Sequence, residues 1–508
     1  MDLAPSQLSP STVQVEHICS IHRVQPSLGR LPHLSDGFNI QLGRNDWAAL
    51  FPSHHLMWAS PSFVKTRDFI KSIKRSPDGY STFLSEPMRQ SFDQYYLPYV
   101  KNSAVKSGPI VKGEVLDPTI CFLATNDCNL GCKYCFSGAE PKKFGAIPWD
   151  IAKAAIDMGV RNGVLNRMRT GQGRLEVNFY GGGEPTEYWD VFVAIVEYAR
   201  AAAQQSGISV GVATITNGQI DEDKWKWFRN NINEFTISMD GPREIHDAQR
   251  PTFSGESSFA KSWNFLSAMT ADGMQVKSIR VTVTAQTVFR LGEIAEYFWD
   301  NLSRPLPIQF EPVYFSEVGR QNSTMPGALE FVAGFREVEE LARRRELAGR
   351  PFNAVATATR PLGIRSGAYC DSLEGKGMFI TPNGFLSLCS EVSTPNDPRK
   401  DKYFVGGYDA ATKRFRVLDE KKDTIRCGSP WWCRGCFAHF SCAGGCEPRS
   451  QNSDTKVRKW WCQMVRHNIK GTWSDVRTGK IEPRARIGDA KGEELIWLPM
   501  WTDSPSMD

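Results

Sequence analysis

Cys128, Cys132 and Cys135 fall within one octapeptide, separated by three and then two residues. Thiolates are soft ligands, and at this density they select iron–sulfur clusters or zinc. A closed site of either kind takes four protein ligands, and this run stops at three. Three thiolates on a four-iron cube leave one iron open, as a catalytic metal keeps an open position. A partial zinc knuckle is the plainer alternative. A second cysteine group lies far downstream. Cys370 is followed by thirteen residues, Gly384, four residues and Cys389. After Cys427 come Cys433, Cys436, Cys442 and Cys446 at spacings of two, five and three, then Cys462 fifteen residues on.

These residues need a scaffold, and the chain is long enough to supply one. Its 508 residues predict three or four domains. Hydrophobic content of 41% and charged content of 23% fit a globular protein. A net charge of +5 with no basic arm argues against nucleic acid. No apolar run is long enough for a membrane span, and the start does not read as a signal peptide. Thirteen cysteines in such a chain signal cofactors rather than disulfides, and predict a cytoplasmic, oxygen-sensitive protein. Cys19 and Cys121 fit neither cysteine pattern and read as structural.

Residues 1–115 are rich in Ser, Pro and aromatics and carry no recognisable motif. Phe63, Val64, Phe69, Ile70 and Ile73 recur at helical spacing among basic residues, which predicts a basic amphipathic helix packed on the body of the protein. Its functional reading is a docking surface for an acidic peptide. From 116 to 325 strand-like runs at 119–124, 175–180, 209–216, 235–239, 279–284 and 308–313 alternate with helical stretches near 148–167, 187–206, 220–230, 256–272 and 291–302. Pro148, Asp221 and Ser257 mark helix starts. Such alternation gives parallel strands with crossover helices, and six strands are too few for the closed eight-stranded barrel. The fold class is α/β, an open partial (β/α)6 barrel. Residues 326–365 read as a helical connection, 366–470 as loop-rich, and 471–508 as a tail whose apolar end packs on the protein or a partner.

Parallel α/β folds place chemistry at the carboxyl ends of their strands. The first strand ends just before Cys128. The second ends in Tyr180-Gly181-Gly182-Gly183-Glu184-Pro185, where glycines let the backbone approach a ligand and Glu184 can accept from an ammonium group. The third ends in Thr216-Asn217-Gly218. The fourth ends in Ser238-Met239-Asp240-Gly241-Pro242, followed by His246-Asp247 and Arg250. Turn formation and loop anchoring are the structural reading of Asp240 and His246.

Taken together these motifs resemble the radical S-adenosylmethionine (radical SAM) enzymes, and the downstream cysteines resemble their SPASM extension. The resemblance covers about 116–470. It implies that Cys128, Cys132 and Cys135 bind a [4Fe–4S] cluster whose open iron takes the amino and carboxylate groups of SAM. One electron then splits SAM into methionine and a 5′-deoxyadenosyl radical. It assigns Tyr134, Gly182, Gly183, Glu184, Ser238 and Arg250 to SAM, with Ser238 at the ribose and Arg250 at the carboxylate. It implies two further [4Fe–4S] clusters, three in all. Cys370, Cys389 and Cys446 would hold the nearer one, with Cys427 the local candidate for its fourth ligand. Cys433, Cys436, Cys442 and Cys462 would hold the outer one. Gly181 departs from relatives, which often carry Gln there.

The function implied is that of a peptide maturase, an oxidoreductase that abstracts a hydrogen from a ribosomally made precursor peptide and installs a carbon–carbon, ether or thioether crosslink. Residues 1–115 leave room for a leader-binding module. An external donor such as flavodoxin or ferredoxin would supply electrons. Two alternatives stand beside it. One is a sulfatase-maturase-like dehydrogenase forming formylglycine, in which Glu391 would be the base in place of an Asp directly after Cys389. The other is a non-catalytic iron–sulfur electron carrier.

Overall fold

The computed structural model describes residues 38–43, 46–51, 56–75, 79–96, 117–314, 323–345, 378–417, 433, 436–438, 442, 444–446, 455–480, 485–488 and 494–497. Three short strands open the described chain: β1 (Phe38–Gly43), β2 (Asp46–Phe51) and β3 (Leu56–Ser60). Helix α1 (Phe63–Arg75) follows and buries Phe69 and Ile70 while Lys65 and Lys71 stay exposed. Trp58 and Phe69 stack with ring centroids 4.5 Å apart, fixing the helix to β3.

The six expected parallel strands are present. They are β4 (Thr119–Phe122), β5 (Arg174–Phe179), β6 (Ser209–Thr216), β7 (Glu234–Ser238), β8 (Val276–Val283) and β9 (Ile308–Pro312), paired in sequence order. Between them run α2 (Trp149–Thr170), α3 (Trp189–Gln205), α4 (Glu222–Asn231), α5 (Arg243–Gln249), α6 (Phe259–Ala271) and α7 (Leu291–Asn301). Helix α2 starts after Pro148 and stops at Gly171, whose φ of 80° lets its N–H reach the Arg167 carbonyl. Helix α6 starts after Ser258, one residue beyond the expected Ser257.

Side chains on a strand alternate between faces. On β8, Ile279, Val281 and Val283 are wholly buried in the same apolar core as residues of the helices. The alternate positions, Ser278, Arg280 and Thr282, are polar. Closed barrels fill their interior with branched apolar side chains. Here the inner positions carry Ser238, Arg280, Thr282, Gln309 and Glu311, and the sheet encloses a polar space instead of a packed one.

The sheet does not end at β4. Strand β10 (Met378–Ile380) adds to it in parallel, and β11 (Phe385–Ser387), β12 (Phe404–Asp409) and β13 (Arg414–Val417) continue antiparallel, making ten strands. The start of the cysteine-rich region is thus welded to the barrel edge. The helical connection expected within 326–365 is present, whereas a long helix over 455–477 and a strand in the tail were not legible as such. Helix α8 (Ala328–Arg344) packs on a long helix α9 (Thr455–Arg477), through Trp460 Nε1 donating to the Pro326 carbonyl at 2.6 Å and an Arg336–Asp475 ion pair. A division at residue 470 therefore cuts a continuous helix. The apolar tail is a strand: β15 (Glu494–Trp497) pairs with β3, and β14 (Ala485–Gly488) pairs with β15. Both ends of the described chain share one five-stranded sheet. Among the described residues no helix is long and apolar enough to cross a membrane.

Candidate active site

The cluster-type loop is held by its surroundings before any ligand enters. Gly131 N–H donates to the Pro251 carbonyl at 2.8 Å and Lys133 N–H to Gln249 at 3.0 Å. A side chain at 131 would meet the Thr252 carbonyl at 3.2 Å. Asp127 folds the base of the loop. Its carboxylate accepts from the backbone N–H of Lys143, Phe144 and Gly145 at 2.7–2.8 Å and from the Tyr188 hydroxyl at 2.6 Å. Burial alone would push this carboxyl up; the hydrogen bonds from Tyr188 and those backbone amides outweigh it and hold it below its usual value.

The Gly182-Gly183 turn sits directly on this loop. Gly183 N–H donates to Thr125 and Glu184 N–H to Asp127, both at 2.8 Å. A Cβ at Gly183 would come within 1.8 Å of the Asp127 carbonyl oxygen, and one at Gly182 within 2.5 Å of Asn126 Oδ1. These glycines are demanded by backbone packing against β4's loop, where the expectation was a close approach to ligand. Glu184 is buried. Its Oε1 accepts from Thr186 N–H, Thr186 Oγ1 and Thr216 Oγ1, and its Oε2 accepts from Asn217 N–H at 2.7 Å. Burial raises its pKa against those hydrogen bonds.

One cavity is lined by Cys128, Cys132, Tyr134, Cys135, Gly182, Gly183, Glu184, Ser238 and Arg250, so the barrel residues assigned to the cluster or to SAM reach one space. Polar groups flank each of the three sulfurs: Asn217 Nδ2 at 3.9 Å from Cys128, Arg250 Nη1 at 3.9 Å from Cys132, and Ser137 Oγ at 3.3 Å from Cys135. Such contacts tune cluster potentials. Burial pushes the Cys128 thiol well up, with Cys132 and Glu184 adding to it, so a thiolate there calls for a cationic partner. The donor set fits an iron–sulfur cluster. Among the described residues no three metal-ligating side chains converge as on a single ion; thiolates on a cube each take a different iron.

Asp240 is the hub of the far wall. It is wholly buried and accepts from Tyr134 Oη, from Gln249 Nε2 at 2.8 Å and from Thr282 N–H at 2.9 Å. Arg250 Nε stands 3.1 Å from it, with the guanidinium 5.2 Å from the centre of the Tyr134 ring. His246 Nδ1 accepts from Asp240 N–H, which leaves the proton on Nε2, 3.0 Å from Ser258 Oγ. Asp247 accepts from Ser258 N–H and Phe259 N–H and so caps α6 from a distance. Asp240, His246 and Asp247 thus anchor the segment that carries Arg250, in line with their structural reading.

Sequence reasoning did not single out Arg280 or Tyr314, and it gave Asn217 no role beyond ending a strand. Asn217 and Arg280 end or line inner strand positions. Tyr314 Oη donates to Glu391 Oε1 at 2.5 Å, and both line the cavity with Glu311 and Ser390. Period-two polarity on β8 was the signal for Arg280; nothing local marked Tyr314. Glu391 is buried, beside Arg399, which Asp397 holds at 2.9 Å.

Of the downstream cysteines, Cys433, Cys436, Cys442 and Cys462 line a second pocket with Arg458, Lys459 and Arg466. Burial, then the neighbouring sulfurs, push Cys433 to about 11 and Cys442 to about 12. Arg466 Nε donates to Cys436 Sγ at 3.4 Å. Cys389 follows β11, one residue before the cavity wall, and Cys446 is half-buried. Cys370 and Cys427 lie outside the described residues.

The sequence profile of the radical SAM superfamily matches residues 122–300, the span from β4 to α7 that builds this cavity. Residues 122–300 thus form a radical SAM domain. A radical SAM domain works with one [4Fe–4S] cluster and SAM. The chain is 25% identical over 208 residues to a cysteine-type anaerobic sulfatase-maturating enzyme of Clostridium perfringens, covering 40% of this chain and 54% of that protein. It is 30% identical over 148 residues to the corresponding enzyme of Clostridium novyi, covering 27% and 36%. The chain therefore spans about half, or less, of the curated relatives it matches. Among solved structures, native anSMEcpe with bound AdoMet superposes with a TM-score of 0.52 at 18% identity, over 70% of this chain and 98% of that one, a likeness of fold.

Proposed function

We propose that this radical SAM protein is a peptide maturase that installs a carbon–carbon, ether or thioether crosslink in a ribosomally made precursor. The observation that carries the reading is one cavity shared by Cys128, Cys132 and Cys135, the Gly182–Glu184 turn, and Ser390–Glu391 of the cysteine-rich region. A mere electron carrier has no use for such a space. When bound, the reduced cluster and SAM supply a 5′-deoxyadenosyl radical. The chain's own residues do the rest. Cys128, Cys132 and Cys135 hold the cluster. Glu184, which lines the cavity, serves the ammonium of SAM. Ser238 serves the ribose, and Arg250, fixed by Asp240 and stacked near Tyr134, serves the carboxylate.

Glu391, oriented by Tyr314, takes the proton released when the substrate carbon is oxidised. Cys370, Cys389 and Cys446 with Cys427 would hold a nearer auxiliary [4Fe–4S] cluster and Cys433, Cys436, Cys442 and Cys462 an outer one, which would supply an acceptor for the accompanying electron. A flavodoxin or ferredoxin supplies the initiating electron. The solved anSMEcpe with AdoMet and the Cp18Cys peptide supports a peptide occupant. A second reading, formylglycine formation, is favoured by the sulfatase-maturating relatives and by the acidic Glu391 two residues after Cys389.

One experiment separates them. Any short peptide encoded beside this chain, and separately a sulfatase-derived peptide carrying the Cys or Ser to be oxidised, is incubated with it anaerobically and weighed by mass spectrometry. A crosslink gives loss of two hydrogens and no reaction with a hydrazide. Formylglycine gives a hydrazide adduct. An unchanged peptide mass, with no 5′-deoxyadenosine formed, overturns both.

A further inference from the structure

Two guanidinium groups line the cavity, and they differ. Each nitrogen of Arg250 faces the protein: Nε towards Asp240 at 3.1 Å, Nη1 towards Cys132 Sγ at 3.9 Å, Nη2 towards Thr282 Oγ1 at 3.4 Å. Arg280 is the other. It projects from β8, opposite Ser238 of β7 and Gln309 of β9, into the same cavity. Among the described residues its guanidinium meets no carboxylate and no hydrogen-bond acceptor. Two acids of the same wall have donors of their own: Gln309 donates to Glu311 Oε1, and Tyr314 to Glu391 Oε1. A guanidinium is always charged, and a half-enclosed one gains most from a planar anion that it can grip with two nitrogens.

We propose that Arg280 is a carboxylate-binding residue of the cavity, pairing with a carboxylate that arrives on a ligand. The inference rests on the cavity being the SAM and substrate site, as proposed above. The carboxylate has two sources, the methionine end of SAM or an acidic side chain of the peptide. Arg250, assigned above to the SAM carboxylate, is at the same time paired with Asp240, so Arg280 either shares that carboxylate or takes one from the substrate.

The test uses reconstituted full-length protein and its Arg280→Gln and Arg280→Lys variants, with iron content checked for each. SAM and decarboxylated SAM are titrated by calorimetry. If SAM brings the carboxylate, Arg280→Gln weakens SAM roughly 10- to 100-fold, leaves decarboxylated SAM unchanged, and Arg280→Lys recovers part of the loss. If the substrate brings it, SAM binding is unchanged. In that case acetyl-Gly-Glu-Gly-amide outbinds its Gln counterpart on SAM-loaded wild type, and Arg280→Gln erases the preference. Arg280→Gln protein that binds SAM and both peptides as wild type does overturns the inference. Wild-type protein that binds no SAM overturns instead the reading on which it rests.

Discussion

The barrel site and the outer cysteine pocket are both built around thiols, yet they are made differently. In the barrel, protein groups alone fix the geometry. Asp127 ties the loop base, Glu184 ties β5's turn to β6, and Asp240 ties β7, β8 and the Arg250 segment. Each carboxylate is buried or partly buried and met by several donors, which a low-dielectric interior makes costly to disturb. The outer pocket has no comparable hub among its described residues. Its four sulfurs come from short turns and from α9, with Arg458, Lys459 and Arg466 around them. On the proposed reading, the barrel site is preorganised to receive its cofactors, whereas the outer site would take its shape from the cluster it binds.

The largest expected effect breaks the comparison at its root. Cys128→Ala, Cys132→Ala or Cys135→Ala abolishes 5′-deoxyadenosine formation in an assay with SAM and dithionite, with the thermal transition of the barrel kept. Cys433→Ala lowers iron content and blocks conversion of peptide to product, yet retains SAM cleavage. Full SAM cleavage in any of the first three variants would remove the loop from the scheme.

Asp240→Asn sharpens the contrast. It leaves the Arg250 charge buried without its counter-ion, which destabilises by about 3–5 kcal/mol. Urea unfolding of this variant against wild type measures the loss; a change under 1 kcal/mol on that scale would deny Asp240 its role as hub.

A smaller effect comes from acid. Burial holds His246 down at about 4, with Arg250 adding to it and Asp240 and Asp247 opposing. Its folded pKa lies below the unfolded one, so the unfolded chain binds the extra proton. Stability is then present above about 6.5 and lost as pH falls towards 4, by on the order of 3 kcal/mol. Thermal melts of wild type and His246→Gln between pH 7 and 4.5 check this. The variant is the less pH-dependent of the two, since its side chain does not titrate.

Much of the barrel was legible because its chemistry is local. The six strands carry period-two apolar residues and the motifs follow their carboxyl ends; Ser238 and Arg250 were singled out by the family resemblance of their motif, and both line the cavity. What stayed hidden depends on distant partners. Nothing in Leu495-Ile496-Trp497 names Met57 and Trp58 as strand partners. Helix α9 reads as loop because Cys462, Gly471 and three tryptophans interrupt its pattern; its apolar face is set by α8. The glycines of the Gly182-Gly183 turn were found, but their reason, the Asp127 carbonyl at 1.8 Å from a notional Cβ, is a contact between loops fifty residues apart.

The central claim is that three barrel thiolates leave one iron for SAM. Electron paramagnetic resonance of the reduced Cys389→Ala, Cys433→Ala double variant, recorded with and without SAM, tests it most directly. The account predicts a cluster signal whose g-values move when SAM is added, and loss of that signal on further Cys132→Ala substitution. A signal indifferent to SAM, or one that survives without Cys132, would contradict it.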